Sequence, residues 1–213
     1  MDSVQLWLAT PDAAQHFDPA ELTDEERDWM ARLRREARRQ DFAVSRALRA
    51  YARRVTPSPV SESMSHSGGY AALALARVRP VLRVGVDLEL HRARRRLEVA
   101  SAVFTKSEMR ALEAAPGPER EHLFYAIWTV KEALAKVLQL PLMEALRACE
   151  VLVDGPQWEV RAPMTDAGGV VLYQPRADLT LAVAWIGAEL PIETWDWPPQ
   201  RPASWPLIAA ISL

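Results

Sequence analysis

The sequence predicts an α+β protein, because segments with helical periodicity and segments with strand periodicity alternate along its 213 residues. Two long segments carry apolar residues at helical spacing, and several shorter ones are rich in strand-forming residues. Both types occur in each half, which favours two related α+β lobes. We expect an N-terminal lobe over 1–96, a C-terminal lobe over 97–190, and a tail rich in proline and tryptophan over 191–213.

The first half is predicted to contain a strand, a long helix and a hairpin. Alternating apolar residues predict the strand at 4–8. Thr23 and Glu26 form a capping box that opens a helix running to about residue 52, with a break near Asp41. Residues 70–78 and 81–90 are predicted as the two strands of a hairpin, joined by a turn at 79–80.

The second half is predicted to contain two helices and four strands. Thr105 and Glu108 form a second capping box, which opens a short helix that ends before residue 116. A long helix follows over 119–140, and Pro141 ends it. Strands are predicted near 151–153, 158–160, 170–173 and 179–185, and the tail is expected to lie on the body through its aromatic residues.

Charge is unevenly distributed along the chain, although the net charge is only −2. Residues 27–96 hold 17 of the 26 basic residues and six acidic ones, so this stretch carries +11 and the remainder −13. A basic region suggests an anionic partner, either a phosphate ligand, a nucleic acid or an acidic protein. An arginine-rich, solvated helix face is the alternative.

The apolar segments are too short to cross a bilayer, and the first residues do not have the pattern of a secretory signal. We therefore expect a cytoplasmic protein that does not enter a membrane. The single cysteine, Cys149, has no internal disulfide partner and no metal-binding neighbour, so we expect it to serve in packing.

Two acidic side chains on a predicted strand are candidates for a metal site. Asp87 and Glu89 are two residues apart, so they project from the same face while Val86 and Leu88 project from the other. Two neighbouring carboxylates repel each other unless a cation lies between them, and Mg²⁺ prefers such oxygen ligands. The alternative is an exposed edge strand with two solvated acids.

The long second helix carries a second candidate pair. Glu132 and Lys136 are four residues apart and share a helix face with Trp128. An ordinary surface ion pair explains this spacing as well. Against that alternative, the chain has only three lysines, Lys106, Lys131 and Lys136, and two of them lie here.

A polar, glycine-containing segment precedes the strand predicted at 70–78. Ser65, His66 and Ser67 are followed by Gly68 and Gly69, and we expect them to form a loop that offers hydroxyls and an imidazole to an anion. A surface histidine that forms ordinary hydrogen bonds is the alternative.

Taken in order, four motifs resemble the 4'-phosphopantetheinyl transferase superfamily, Sfp type. They are MSHS at 64–67, GVDLE at 85–89, FTKSE at 104–108 and WTVKEALAK at 128–136. The resemblance spans roughly residues 30–190 and implies the pseudo-dimeric fold of that family, a monomer with the active site between two similar α+β lobes.

The resemblance also implies roles for individual residues. Asp87, Glu89 and Glu132 would bind Mg²⁺, or Mn²⁺, which in turn holds the pyrophosphate of coenzyme A. Lys136 would contact the phosphate and assist catalysis. Three further residues would bind the nucleotide end of coenzyme A: Arg46, Ser65 and His66.

The implied reaction transfers phosphopantetheine from coenzyme A to a serine of an acyl or peptidyl carrier protein and releases 3',5'-ADP. Either Glu108, or Glu132 through a water, would accept the serine proton. Carrier proteins of this kind are typically acidic, so the basic first half would attract them. Which carrier, and whether it serves fatty-acid, polyketide or non-ribosomal peptide synthesis, stays open.

The chain departs from the family pattern in one place. The family usually has a Gly-Lys-Pro motif before the Ser-His-Ser element, and an Asn where this chain has Ser63. Arg53 or Arg54 would have to replace the missing lysine. A non-catalytic relative that binds coenzyme A or a carrier protein is therefore one alternative. A nucleic-acid-binding protein is another, although no recognised nucleic-acid module is present.

Overall fold

The computed structural model describes residues 3–56, 61–76, 83–92, 96–155, 157–164, 166–188 and 191–213. Two short 3₁₀ helices, Pro11–His16 and Pro19–Glu21, precede the first α-helix. The α-helices are α1 (Asp24–Arg32), α2 (Glu36–Val55), α3 (Arg96–Val103), α4 (Lys106–Ala114), α5 (Gly117–Leu138) and α6 (Leu142–Ala148). The strands are β1 (Val4–Ala9), β2 (Ser61–Ser67), β3 (Tyr70–Ala76), β4 (Arg83–Leu90), β5 (Glu150–Asp154), β6 (Gln157–Arg161), β7 (Gly168–Arg176), β8 (Leu179–Ile186), β9 (Ile192–Trp197), β10 (Arg201–Pro202) and β11 (Leu207–Ser212). These elements confirm the α+β class.

The strands form two main sheets and a separate pair, β5 and β6. The first sheet has the order β10-β9-β1-β3-β2, and the second has the order β11-β7-β8-β4. Strand β1 runs parallel to β9 and antiparallel to β3. The residues predicted as a tail therefore supply strands to both sheets, and β4, from the predicted first segment, lies in the second sheet. The three-segment division stays a prediction.

The main sheets pack face to face, and a long helix covers the outer face of each. Leu6 and Leu8 of β1 pack with apolar residues of the second sheet, whereas Trp7 packs with residues of α2. Helix α5 packs against the other face of the second sheet. The layers follow the order α2, first sheet, second sheet, α5.

The helix predictions are largely confirmed. Both capping boxes form, at Thr23 with Glu26 and at Thr105 with Glu108. The break in the first long helix lies at 33–35, between α1 and α2, and Asp41 lies within α2. Among the described residues, no helix combines the length and the apolar character needed to span a membrane.

The predicted hairpin of residues 70–78 and 81–90 is wrong. Strand β3 pairs with β1 and β2, whereas β4 pairs with β8. The hairpin is instead β2–β3, whose two-residue turn has both glycines at positive φ, Gly68 at 63° and Gly69 at 86°. Residues 65–67 therefore lie on a strand and not in a loop. The predicted turn at 79–80 lies outside the described residues.

Candidate active site

Strand β4 carries Asp87 and Glu89, and helix α5 carries Glu132, at a place where the two backbones touch. A Cβ atom at Gly85 would stand 2.2 Å from the carbonyl oxygen of Ala133, so only glycine permits this approach. The contact brings the acidic residues of the strand to the face of α5 that carries Glu132 and Lys136.

Asp87 is buried, with 2% of its surface exposed, and only one of its two oxygens has hydrogen-bond donors. Oδ1 accepts from Nζ of Lys136 at 2.9 Å and from the hydroxyl of Ser65 at 2.8 Å. Nζ of Lys136 also donates to the carbonyl oxygen of Val86 at 2.6 Å. Oδ2 is buried without a hydrogen-bond donor. Asp87 thus retains one acceptor oxygen that another cation can use.

Glu132 lies close enough to both strand acids for their charges to change its titration. Burial, followed by the negative charge of Asp87, raises the pKa of Glu132 to about 8, while Lys136 opposes the rise. Glu89 raises this pKa as well. The charges of Asp87 and Glu89 therefore disfavour a negative charge on Glu132, and a bound divalent cation would favour that charge.

These carboxyl groups suit a divalent cation such as Mg²⁺ by their chemistry and burial. Carboxylate oxygens are its preferred ligands, and Oδ2 of Asp87 is without a donor. In the positions seen here they do not converge on one point: the described residues include no group of three or more His, Cys, Asp or Glu side chains that already forms a metal site. Glu89 Oε2 accepts a hydrogen bond from the Ser67 hydroxyl at 3.0 Å. The metal-ligand roles stay predictions.

The residues predicted to bind coenzyme A gather beside these acids. Nδ1 of His66 lies 3.9 Å from Oδ2 of Asp41, and the His66 side chain is 36% exposed. Partial burial lowers the pKa of His66; Asp41 opposes this effect, and positive charges that include Arg46 and Lys136 add to it. Ser65, next to His66, binds the same Asp87 oxygen as Lys136. Cationic side chains from α2 and α5 thus share one region with the His66 imidazole and the Ser65 hydroxyl of β2, which suits a phosphate ligand.

Arg46 is held in place from both sides of its guanidinium group. Its Nε lies 2.8 Å from Oε1 of Glu26 on α1, and Arg49 binds the same oxygen. Its Cζ lies 4.5 Å from the centre of the Phe42 ring. Helix α1 therefore fixes the arginine that we expect to contact the nucleotide.

Arg53 and Arg54, considered as replacements for the missing Gly-Lys-Pro lysine, are already paired. Arg53 lies 2.6 Å from Glu62 on β2, and Arg54 lies 2.6 Å from Glu21. Both arginines are more than half exposed, at 52% and 58%. An anionic ligand would have to compete with these carboxylates.

Glu108 has surroundings that differ from those of Glu132. Nζ of Lys131 donates to both of its oxygens, at 2.9 and 2.7 Å, and neither side chain is exposed. The backbone N–H groups of Val151 and Thr105 donate to it at 2.8 and 2.7 Å. Four donated hydrogen bonds and complete burial leave Glu108 no route to a substrate proton in this conformation. This geometry favours Glu132 as the general base, a role that stays a prediction.

The sequence placed Ser67 only among the hydroxyls expected to face an anion, and it indicated no role for Lys131. The rarity of lysine in this chain marks Lys131, but nothing in the local sequence identifies Glu108, 23 residues away, as its partner. The alternating serines of residues 61–67 were a usable strand signal, and the following glycine pair signalled a two-residue turn.

Comparison with known proteins finds two similarities. Residues 83–169 match the model of a family described as the 4'-phosphopantetheinyl transferase superfamily. Over 75 residues the chain is 35% identical to a protein of Synechocystis sp. named "Putative 4'-phosphopantetheinyl transferase". That alignment covers 35% of this chain and 29% of the Synechocystis protein, so it spans less than a third of that relative's length.

The segment 83–169 belongs to the 4'-phosphopantetheinyl transferase superfamily, which confirms the superfamily predicted from the motifs. It contains five predicted site residues: Asp87, Glu89, Glu108, Glu132 and Lys136. The other three, Arg46, Ser65 and His66, precede it. The Sfp type stays a prediction.

Proposed function

We propose that the protein transfers the phosphopantetheine arm of coenzyme A to a serine of an acyl or peptidyl carrier protein. The observation that supports this most is the region where carboxyl groups on β4 and α5, among them the buried Asp87, lie beside cationic side chains of α2 and α5. Carboxylates suit a divalent cation, and the neighbouring cations suit phosphates, so the two groups together suit a metal-bound pyrophosphate.

In the proposed reaction, the carrier serine oxygen attacks the β-phosphorus of coenzyme A. The new phosphorus–oxygen bond replaces the phosphoanhydride bond, and 3',5'-ADP leaves with the bonding electrons. Glu132 accepts the serine proton through a water, and Lys136 balances charge on the phosphate. Mg²⁺ or Mn²⁺, held by Asp87, Glu89 and Glu132, would supply positive charge next to the pyrophosphate.

We further propose that the carrier protein is acidic and that the enzyme acts as a monomer in the cytoplasm. Exposed arginines just before and within the first turn of α2, including Arg34, Arg35 and Arg38, would attract an acidic carrier. We propose no role for a nucleic acid or a membrane.

The test is incubation with coenzyme A, Mg²⁺ and a panel of apo carrier proteins, followed by intact-mass spectrometry. We expect a carrier to gain the mass of one phosphopantetheine group, and Glu132→Gln and Asp87→Asn to abolish the gain. Glu119→Gln, an exposed acid on the same helix, is the matched control and should retain transfer. Absence of any adduct on every carrier would contradict the proposal.

One observation favours a second candidate, a relative that binds coenzyme A without transferring its arm. Arg53 and Arg54 each form an ion pair with a glutamate, so neither of these two arginines is free to replace the lysine that the family motif contains. Calorimetric titration with coenzyme A separates the candidates, because binding without any carrier adduct would identify the non-catalytic relative.

A further inference from the structure

Strand β2 lies beside β4 at the junction of the two main sheets, and serine hydroxyls connect the two strands. The strands belong to different sheets, so backbone pairing does not join them. Three backbone N–H groups of β4 donate instead to serine Oγ atoms of β2: Val84 to Ser61 at 3.1 Å, Val86 to Ser63 at 3.0 Å, and Leu90 to Ser67 at 3.2 Å. The alternating serines thus satisfy donors on the edge of β4.

Ser67 makes a second contact that Ser61 and Ser63 do not share. Its hydroxyl accepts from the N–H of Leu90 and donates to Oε2 of Glu89 at 3.0 Å. A hydroxyl has a single proton, so donation to Glu89 sets its direction. Ser67 therefore ties the Glu89 carboxylate to the backbone of the strand that carries it.

We propose that Ser67 is a positioning residue that orients the Glu89 carboxylate for binding of a divalent cation together with Asp87 and Glu132. Hydrogen bonds to ligating carboxylates commonly set their orientation and affect metal affinity. In this role Ser67 acts through Glu89. The inference rests on the proposed function, since it requires the cation site on these three acids.

The test measures Mn²⁺ affinity by calorimetric titration in the absence of coenzyme A and carrier protein. We expect Ser67→Ala to weaken binding about tenfold, the lower end of the usual effect of such partners. Ser63→Ala is the matched control, because it loses a comparable backbone hydrogen bond at 3.0 Å but no carboxylate contact. It should keep the wild-type affinity. Ser67→Thr retains the hydroxyl and should restore most of the affinity.

The results distinguish a positioning role of Ser67 from an effect on packing and from the absence of a cation site. Wild-type affinity in Ser67→Ala, or an equal loss in Ser63→Ala, would overturn the role of Ser67. An equal loss in Ser67→Thr and Ser67→Ala would assign the effect to packing and overturn it too. If the wild-type protein binds no Mn²⁺, the cation site itself is refuted, and the role of Ser67 with it. The wild-type protein could also bind Mn²⁺, and Ser67→Ala could lose affinity as expected, while no carrier protein is modified. That result would support the positioning role of Ser67 and contradict the proposed transferase activity.

Discussion

Replacing Lys131 by methionine is expected to destabilise the whole protein, because it leaves a buried carboxylate without its counter-ion. The Lys131 and Glu108 side chains have no exposed surface, and the Lys131 ammonium contacts both Glu108 oxygens. Methionine preserves most of the length and apolar surface of lysine. The substitution therefore removes mainly the charge and its hydrogen bonds.

The size of the effect follows from what remains around Glu108. Removing one partner of a buried ion pair typically costs about 3–5 kcal/mol. The N–H groups of Val151 and Thr105 still donate to the carboxylate, at 2.8 and 2.7 Å, so we expect a loss near the lower end, about 3 kcal/mol. In a protein of this size, that corresponds to a decrease in Tm of about 6–12 °C.

Thermal unfolding of Lys131→Met, Glu108→Gln and the double variant tests this reasoning. The double variant should lose about 2 kcal/mol less free energy of unfolding than the two single variants lose together. The reason is that the double variant leaves no buried charge without a partner. Strictly additive losses, or a Lys131→Met variant as stable as the wild type, would refute it. Below its Tm, Glu108→Gln should still transfer phosphopantetheine; a folded but inactive variant would instead support Glu108 as the general base.

Three further predictions follow from the same structure. Gly85→Ala places a Cβ 2.2 Å from the carbonyl oxygen of Ala133, so it should move β4 away from α5. We expect it to lower the free energy of unfolding by about 1–3 kcal/mol and to weaken Mn²⁺ binding. An unchanged denaturation midpoint and an unchanged Mn²⁺ affinity would contradict this contact. In metal-free protein, the pKa of Glu132 is raised from 4.5 to about 8, so the folded state holds a proton that the unfolded chain has released, and stability should fall as the pH rises from 4.5 through 8. Glu132→Gln should flatten that part of the profile of Tm against pH, and an identical slope in the variant would contradict the assignment. Removing residues 191–213 deletes β9, β10 and β11 from both main sheets, so the truncated chain should lose its cooperative unfolding transition, and retention of that transition would show that these strands are dispensable.

Features that depend on neighbouring residues could be predicted from the sequence. The capping boxes form as predicted at Thr23 and Thr105 because their partners lie three residues away. The alternation of side chains along a strand predicted that Asp87 and Val86 project from opposite faces, and helical spacing predicted that Glu132 and Lys136 share one helix face. Both periodicities are set by the backbone. The order of the four motifs then identified the superfamily of residues 83–169.

Tertiary structure decided which of these elements meet. Strand β4 pairs with β8, about 90 residues further along the chain, and not with its neighbour β3, because both faces of each sheet must be covered by apolar partners. The same packing buries Glu108 against Lys131 and sets Ser67 beside Glu89. Local patterns do not encode such contacts, because they depend on which distant surfaces exclude water together. The sequence therefore determined the candidate site residues, and only the packing of β2, β4 and α5 decided how their charges are held.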